Sequence, residues 1–366
     1  MKKLCFITYQ FKIGGVESLF ISLAKELTKY YEIYLIPLNQ NYDEELISQI
    51  DTKVNIIKFN KRPSDKTRKN LIINTISYIN KIIKIKKNKR LKGAEFINFS
   101  DTISTLLVAF ICSSRGKFSS WVQLNPLMLK NSKFFNLYKF CYSKAKNIIC
   151  ICQDQTVLMK ELFPGIDNNN IKVVYNCLDF TKISTKANCI FNKEFKYILA
   201  VGRIDNRSKD FKTLIKAYEK WKNKYQREHK LIIIGDGPNF KELEEITNIS
   251  QYKSQIILLG RENNPYKWMK NAELFIHSSK FEGFGLVILE ALALSIPVIA
   301  TDCKVGPREI LNNGKCGILV KVTDENEMSE AIEYILNNKE KYTKEINKHI
   351  TQFSREEAIK KILKIF

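Results

Sequence analysis

Histidine is scarce and late in this sequence: three occur in 366 residues, and none precedes His229. The nine cysteines contain no Cys-x-x-Cys, so with so few histidines the spacing of a structural zinc site is missing. An odd number of cysteines without framework spacing reads as buried thiols in a reducing compartment. No Asp-x-Asp occurs, which removes one way of holding a divalent cation against a diphosphate. No run reaches the roughly 18 apolar residues of a membrane span. The longest are Ile103 to Cys112 and Leu286 to Ala300, and Glu290 interrupts the second. Met1-Lys2-Lys3 followed by Leu4 to Thr8 starts like a secretion signal, but the apolar run is short and meets Phe11-Lys12-Ile13-Gly14-Gly15 without a small-residue cleavage site. It is expected to be a first β-strand.

Acidic residues are also in deficit. Against 38 Asp and Glu stand 60 Lys and Arg, a net charge of +22. Residues 1–180 hold 28 basic and 14 acidic residues, or +14, which leaves +8 for residues 181–366. The densest basic run is Lys81 to Lys92. Such a face can meet nucleic acid, an anionic membrane or phosphorylated substrates. No zinc-finger spacing or RNP-type aromatic motif supports nucleic acid, so none is expected as a partner.

What is present centres on Ser278-Ser279-Lys280-Phe281-Glu282-Gly283-Phe284-Gly285-Leu286, continuing as an apolar helix pattern to Ala293. The apolar strand Leu274-Phe275-Ile276 leads into it. Gly283 and Gly285 let backbone approach a ligand closely. A helix opening near Gly285 offers free N–H groups and a positive dipole end, which suit a phosphate. Glu282 lies in the loop and Glu290 eight positions on, within an almost wholly apolar run. A carboxylate there is costly unless paired or facing a ligand. Amides for phosphate and two carboxylates for hydroxyls are what a nucleotide-sugar needs.

This stretch resembles the Glu, seven residues, Glu signature of glycosyltransferase family 4. Gly14-Gly15-Val16-Glu17, Val201-Gly202-Arg203-Ile204, Lys209, Gly235-Asp236-Gly237-Pro238 and Thr301-Asp302-Cys303 through Gly306-Pro307-Arg308-Glu309 follow in the family's order. The match is strong over roughly 195–320 and weak over 20–145. The resemblance implies an α/β chain of the GT-B fold, with two Rossmann-like doubly wound parallel-sheet domains facing a cleft. Residues 1–185 are then an acceptor-binding domain and 186–350 a nucleotide-sugar-binding domain, with 351–366 a final helix crossing back to the first. The polar stretch Thr181 to Lys196 serves as the linker.

The resemblance also implies the site. Glu290 would bind the nucleotide's ribose and Glu282 the donor sugar's hydroxyls. Arg203 and Lys209 would meet the diphosphate with the amides near Phe284, Gly285 and Leu286, and Gly14 and Gly15 would join in donor binding. Glu282, Arg203 and Lys209 are the expected catalytic residues. The spacing from Arg203 to Lys209 is one longer than the family's. Relatives carry a His near position 123 of the first domain; here Gln123 is the candidate sugar contact, able to hydrogen-bond but not to act as acid or base. No metal or other cofactor is expected.

The implied activity is retaining transfer of a hexose or N-acetylhexosamine from a nucleotide-sugar to a lipid-linked or lipopolysaccharide or capsule saccharide in bacterial surface polysaccharide synthesis. Asp302 with Gly306 to Glu309 resembles a tail found in members that transfer galactose-type sugars, which favours a UDP-sugar over GDP-mannose. Arg308 and Glu309 could instead form a helix-start ion pair. The implied location is cytoplasmic, at the anionic cytoplasmic face of the inner membrane. An epimerase of nucleotide-sugars and a glycan phosphorylase stay open as alternatives. The segment Asn131 to Lys146, mixed aromatic and lysine, suits either a membrane interface or a helix packing its rings on a sheet; the second is expected.

Overall fold

The computed structural model describes residues 1–12, 14–39, 42–59, 71–113 and 118–366, with backbone alone for 71–76. Ile13, in the first glycine loop, lies outside the described residues. The chain forms two compact units, Met1–Tyr175 with Ala358–Phe366, and Asn176–Glu357.

The first unit alternates strands and helices: β1 (Lys2–Thr8), α1 (Gly15–Leu27), β2 (Tyr31–Pro37), α2 (Glu44–Ser48), β3 (Asn55–Ile56), α3 (Leu71–Lys87), β4 (Glu95–Asn98), α4 (Ile103–Cys112), β5 (Ser119–Val122), α5 (Leu127–Lys130), α6 (Phe135–Ser143), β6 (Asn147–Cys150), α7 (Gln153–Leu162) and β7 (Ile171–Val173). The strands form one sheet in the order β3-β2-β1-β4-β5-β6-β7, parallel throughout. Successive strand residues face opposite sides, and β1 divides its side chains accordingly. Phe6 faces a chain of edge-to-face rings with Phe20 of α1 and Phe99, and Phe99 in turn meets Trp121. Cys5 and Ile7 join the other core, with Leu106 and Ala109 of α4, Tyr138, Cys141 and Tyr142 of α6, and Met159 of α7.

The second unit runs α8 (Phe180–Ala187), β8 (Tyr197–Val201), α9 (Phe211–Tyr225), β9 (Lys230–Ile234), α10 (Phe240–Ile249), β10 (Ile256–Gly260), α11 (Tyr266–Lys270), β11 (Leu274–His277), α12 (Leu286–Ala293), β12 (Val298–Thr301), α13 (Pro307–Ile310), β13 (Gly317–Val320), α14 (Glu325–Asn337), α15 (Lys339–His349) and α16 (Arg355–Ile365), whose end belongs to the first unit. Its sheet order is β10-β9-β8-β11-β12-β13, again parallel. In each sheet the strand order reverses once, between β1 and β4 and between β8 and β11. Crevices at the carboxyl ends of strands beside such a reversal are where open parallel sheets bind ligands.

The units divide at 175/176, ten positions before the expected 185/186. Thr181 to Lys196 is not a bare linker. Asp179 caps α8 by accepting from the Lys182 amide at 2.9 Å, and the helix buries Ile183 and Ala187 against α11 and α12. Its polar composition hid this, because only those two side chains of the helix are buried. No helix among the described residues is long and apolar enough to cross a membrane.

Candidate functional site

The loops after β8 and β11 meet at the strand-order reversal of the second sheet. The Asp210 amide donates to the Ser278 carbonyl at 3.0 Å, and the Lys280 amide donates to the Ser208 carbonyl at 2.7 Å. This lacing brings Lys209 against Glu282. The Lys209 ammonium pairs with Glu282 Oε1, as the family pattern requires of neither residue by sequence spacing alone. His277, the last residue of β11, donates from Nε2 to the same oxygen at 2.8 Å, and Ser279 Oγ donates to it at 2.9 Å. Because a carboxylate can only accept, this contact assigns the Nε2–H tautomer of His277.

Three donors therefore converge on Glu282 Oε1. Among the described residues no hydrogen bond uses its Oε2. Burial pushes the Glu282 carboxyl up, but the Lys209 charge and His277 pull it down further, and it rests well below the usual carboxylate range. Burial, and then the Lys209 charge, holds His277 below the ordinary histidine value in spite of Glu282, so the ring is neutral at neutral pH. The cluster is a fixed anion with a cation beside it, and one carboxylate oxygen left for a ligand.

The loop after β11 is held from its other side as well. The Ser279 amide donates to Thr301 Oγ1 at 2.8 Å, and Thr301 Oγ1 donates to the Ser279 carbonyl at 2.7 Å. A Cβ on Gly306 would stand 1.9 Å from the Phe284 carbonyl oxygen, so the loop after β12 closes on the glycine loop only because that side chain is missing.

Gly285 caps α12 at φ +101°, in the left-handed region that suits glycine. Leu, Ile, Val and Ala carry the helix from there; the chain leaves it at Ser295, two residues before Pro297. Ile288, Leu289, Ala291 and Leu292 are buried. The amides of Leu286 and Val287 sit in the unbonded first turn. Glu290 is half-buried on another side of α12, where Tyr266 of α11 donates to its Oε1 at 3.0 Å. Burial raises the Glu290 carboxyl to about 7 against the opposing effect of that bond. As with Glu282, no hydrogen bond among the described residues uses Glu290 Oε2.

Arg203 follows β8 with a largely exposed side chain, its Nε 3.9 Å from Asp205 Oδ2. It is not drawn into the Lys209–Glu282 cluster. Gly283 and Phe284 line the loop between Glu282 and α12, with Phe284 buried and its ring 6.0 Å from that of Phe353. Arg308 pairs with Asp302, and the Glu309 carbonyl accepts from His349 Nε2 at 3.1 Å.

Gly14, Gly15 and Gln123 belong to the first unit. Gly14 caps α1 in extended conformation and Gly15 opens the helix, at the carboxyl end of β1. Gln123 is buried just past β5. Asp101 Oδ2 accepts from the Gln123 amide at 2.8 Å and the Leu124 amide at 2.7 Å. Gln155 Nε2 grips the Leu124 carbonyl from the other side at 2.8 Å. Burial raises the Asp101 carboxyl to about 7, against those two amides.

His277, Ser279, Tyr266 and Asp101 went unrecognised in the sequence. His277 had a signal: it is one of three histidines and directly follows the apolar strand Leu274-Phe275-Ile276. Tyr266 opens the short helix α11, and nothing local ties it to a residue 24 positions away.

Residues 182–352 match the family model described as glycosyl transferases group 1. An N-acetylgalactosamine-N,N'-diacetylbacillosaminyl-diphospho-undecaprenol 4-alpha-N-acetylgalactosaminyltransferase of Campylobacter jejuni is 30% identical over 346 residues, 92% of this chain and 90% of that protein. The amylovoran biosynthesis glycosyltransferase AmsD of Erwinia amylovora is 26% identical, covering 82% of this chain and 80% of its own. A solved glycosyltransferase structure from Rickettsia africae superposes with a TM-score of 0.78 at 18% identity, over 100% of this chain and 98% of that one. Two parallel-sheet α/β domains of this kind are the GT-B fold.

Proposed function

The chain belongs to the group 1 glycosyl transferases, and from that premise we propose that it is a retaining, family 4-type enzyme moving an N-acetylhexosamine or hexose from a UDP-linked donor to a lipid-linked saccharide in bacterial surface polysaccharide assembly. One observation carries this reading. Glu282 and Glu290, flanking one glycine loop and helix start, each have one oxygen tied within the protein and the other left for a ligand. Two such carboxylates match the hydroxyls of a sugar and of a ribose on either side of a diphosphate. The lipid-linked acceptor rests on the similarity to a transferase whose acceptor is a diphospho-undecaprenol saccharide. The UDP donor rests on the Asp302 to Glu309 tail and on that relative's galactosamine specificity.

In this reading the second unit holds the donor and the first the acceptor. The Leu286 and Val287 amides and Arg203 take the diphosphate, and Glu290 Oε2 takes a ribose hydroxyl. Glu282 Oε2 accepts from a donor-sugar hydroxyl, while Lys209 and His277 hold it charged and in place. The bond from the anomeric carbon to the diphosphate oxygen breaks, and the acceptor oxygen bonds to that carbon on the same face. The acceptor's proton passes to the departing phosphate oxygen, which fits a first unit without histidine. Negative charge growing on the leaving diphosphate meets Arg203 and the helix amides, the amides being fixed in advance of the reaction. No Asp-x-Asp is available to hold a metal there.

The test is incubation of the full chain with UDP-N-acetylgalactosamine, UDP-N-acetylglucosamine, UDP-galactose, UDP-glucose and GDP-mannose, each with a diphospho-polyprenol saccharide. Mass spectrometry is expected to show one added sugar from a UDP donor, with the new linkage α by NMR. Folded protein that transfers from none of them overturns the proposal. Conversion of a donor without acceptor would replace it with the epimerase reading.

A further inference from the structure

We propose that Tyr266 is a positioning residue for the nucleotide: its hydroxyl takes one oxygen of Glu290, so that Glu290 reads a single ribose hydroxyl through the other. The inference rests on the proposed function, in which Glu290 meets the ribose. It goes further by naming what aims that carboxylate and which ligands it tells apart.

Tyr266 opens α11, a helix of five residues that is too short to hold its shape alone. Its neighbours fix it. The Trp268 carbonyl accepts from the Tyr197 hydroxyl of β8 at 2.7 Å, and the Trp268 ring meets Phe191 edge-on at 4.8 Å and Tyr197 at 5.8 Å. Trp268 Nε1 donates to Glu262 Oε2 at 3.3 Å. Asn264 Nδ2, two positions before Tyr266, donates to the Lys186 carbonyl of α8 at 2.8 Å. Tyr266 therefore stands on a frame made by the sheet and α8, and it reaches Glu290 of α12 from a fixed base, at 3.0 Å. Burial, then the Glu290 charge and the bond to it, push the Tyr266 hydroxyl far above the ordinary tyrosine value, so it remains a donor throughout the neutral range.

No other side chain aims Glu290. Besides Tyr266, the charged and titratable groups on the described elements packed against α12 are Lys182 and Lys186 of α8, Lys267 and Lys270 of α11, Arg308 and Glu309 of α13, and His277 of β11. None of these bonds to Glu290 or shifts its carboxyl. At Glu282 three donors share one oxygen and one of them is a cation; at Glu290 a single neutral hydroxyl does the same. A free carboxylate can grip two neighbouring hydroxyls side by side, one on each oxygen. Here Oε1 is directed at α11, which leaves Oε2 alone for the ligand. A tyrosine that only satisfied a half-buried carboxylate would cost stability when removed, and would leave the choice among nucleotides untouched.

Calorimetry of the full chain with UDP, 2′-deoxy-UDP and 3′-deoxy-UDP, above neutral pH, tests this. Wild type is expected to lose about tenfold or more in affinity with one deoxy analogue, as a hydrogen bond to a charged group goes, and less than about threefold with the other. Tyr266→Phe should bind UDP about two- to tenfold more weakly, because an unaimed side chain has to be ordered on binding. With Oε1 released, its two deoxy analogues should differ by less than about threefold. Its curve of affinity against pH should also move to higher pH. The Tyr266 bond holds the Glu290 carboxyl below where burial alone would put it, so without that bond the proton stays on to higher pH. The titration of UDP itself is common to both proteins and cancels. Tyr252→Phe, which removes a hydroxyl bonded to Asn223 instead, should change none of these readings. Thermal melting checks that both variants fold, and the wild-type comparison needs no variant. Equal loss with the two deoxy analogues in wild type, an unchanged ratio between them in Tyr266→Phe, or an unmoved pH curve each overturns this inference and leaves the proposed function standing. Folded wild-type chain that binds no UDP overturns the proposed function, and this inference with it.

Discussion

The two strand-order reversals have the same topology but treat their carboxylates in opposite ways. In the second unit Glu282 is buried beside Lys209 and His277 and is held as an anion. In the first, Asp101 is buried with only backbone amides for company, and its carboxyl rises to about 7. Burial disfavours charge at both. A full positive charge nearby reverses that, and two neutral N–H groups do not. The first arrangement suits direct work on a ligand, and the second suits holding a loop in shape. Glu290 resembles Asp101 in this respect, raised to about 7 by burial with one tyrosine hydroxyl donating to it.

The sharpest way to break this contrast is Lys209→Met. It leaves Glu282 buried without its cation, and removing one partner of a buried pair costs about 3–5 kcal/mol. Urea unfolding should show that loss together with collapse of transfer; a loss under about 1 kcal/mol would mean the pair is as weak as an exposed one. Asp101→Leu strips the acceptor from two buried amides and should cost about 2–4 kcal/mol, with the Gln123 loop losing hydrogen-exchange protection first. If that loop stays protected, Asp101 is not its anchor.

Glu290→Gln sharpens the comparison through pH. The folded carboxyl, near 7, lies above its ordinary 4.5, so between those values the native state keeps a proton that the unfolded chain has lost. Stability from this group is complete below 4.5 and lost as pH rises through about 7. The variant should therefore gain roughly 1–3 kcal/mol over wild type above neutrality and nothing at low pH. Its nucleotide affinity should fall about tenfold or more by calorimetry, as a charged hydrogen bond to ribose is lost. Asp101 slopes in the same direction, so the curve of Glu290→Gln keeps a residual fall. The smallest effect on stability is expected from Arg203→Ala, within about 0.5 kcal/mol because the side chain is exposed. Turnover should still drop by at least about tenfold if Arg203 meets the leaving diphosphate. Unchanged kcat would remove it from the site.

Much of the second unit was legible in order. The apolar strand at Leu274-Phe275-Ile276, the glycine loop before Leu286 and the apolar helix from there to Ala293 all lie where periodicity and glycine spacing put them. These signals are local, carried by residues within one turn or one strand. The helix Lys339–His349 was missed because only Tyr342 and Ile346 of it are buried, too few to mark a face. The helix α8 was not legible within the expected linker because it is polar on most of its surface.

By itself, then, the sequence determined the alternating parallel architecture and singled out two glutamates as candidates, since an ionisable group in an apolar helix and a glycine-spaced loop need no distant partner to be noticed. Tertiary structure alone decided how those glutamates are charged. Lys209 reaches Glu282 across 73 positions and Tyr266 reaches Glu290 across 24. A carboxylate's protonation depends on what surrounds it in space, and no spacing along the chain encodes the strand-order reversal that brings these side chains together.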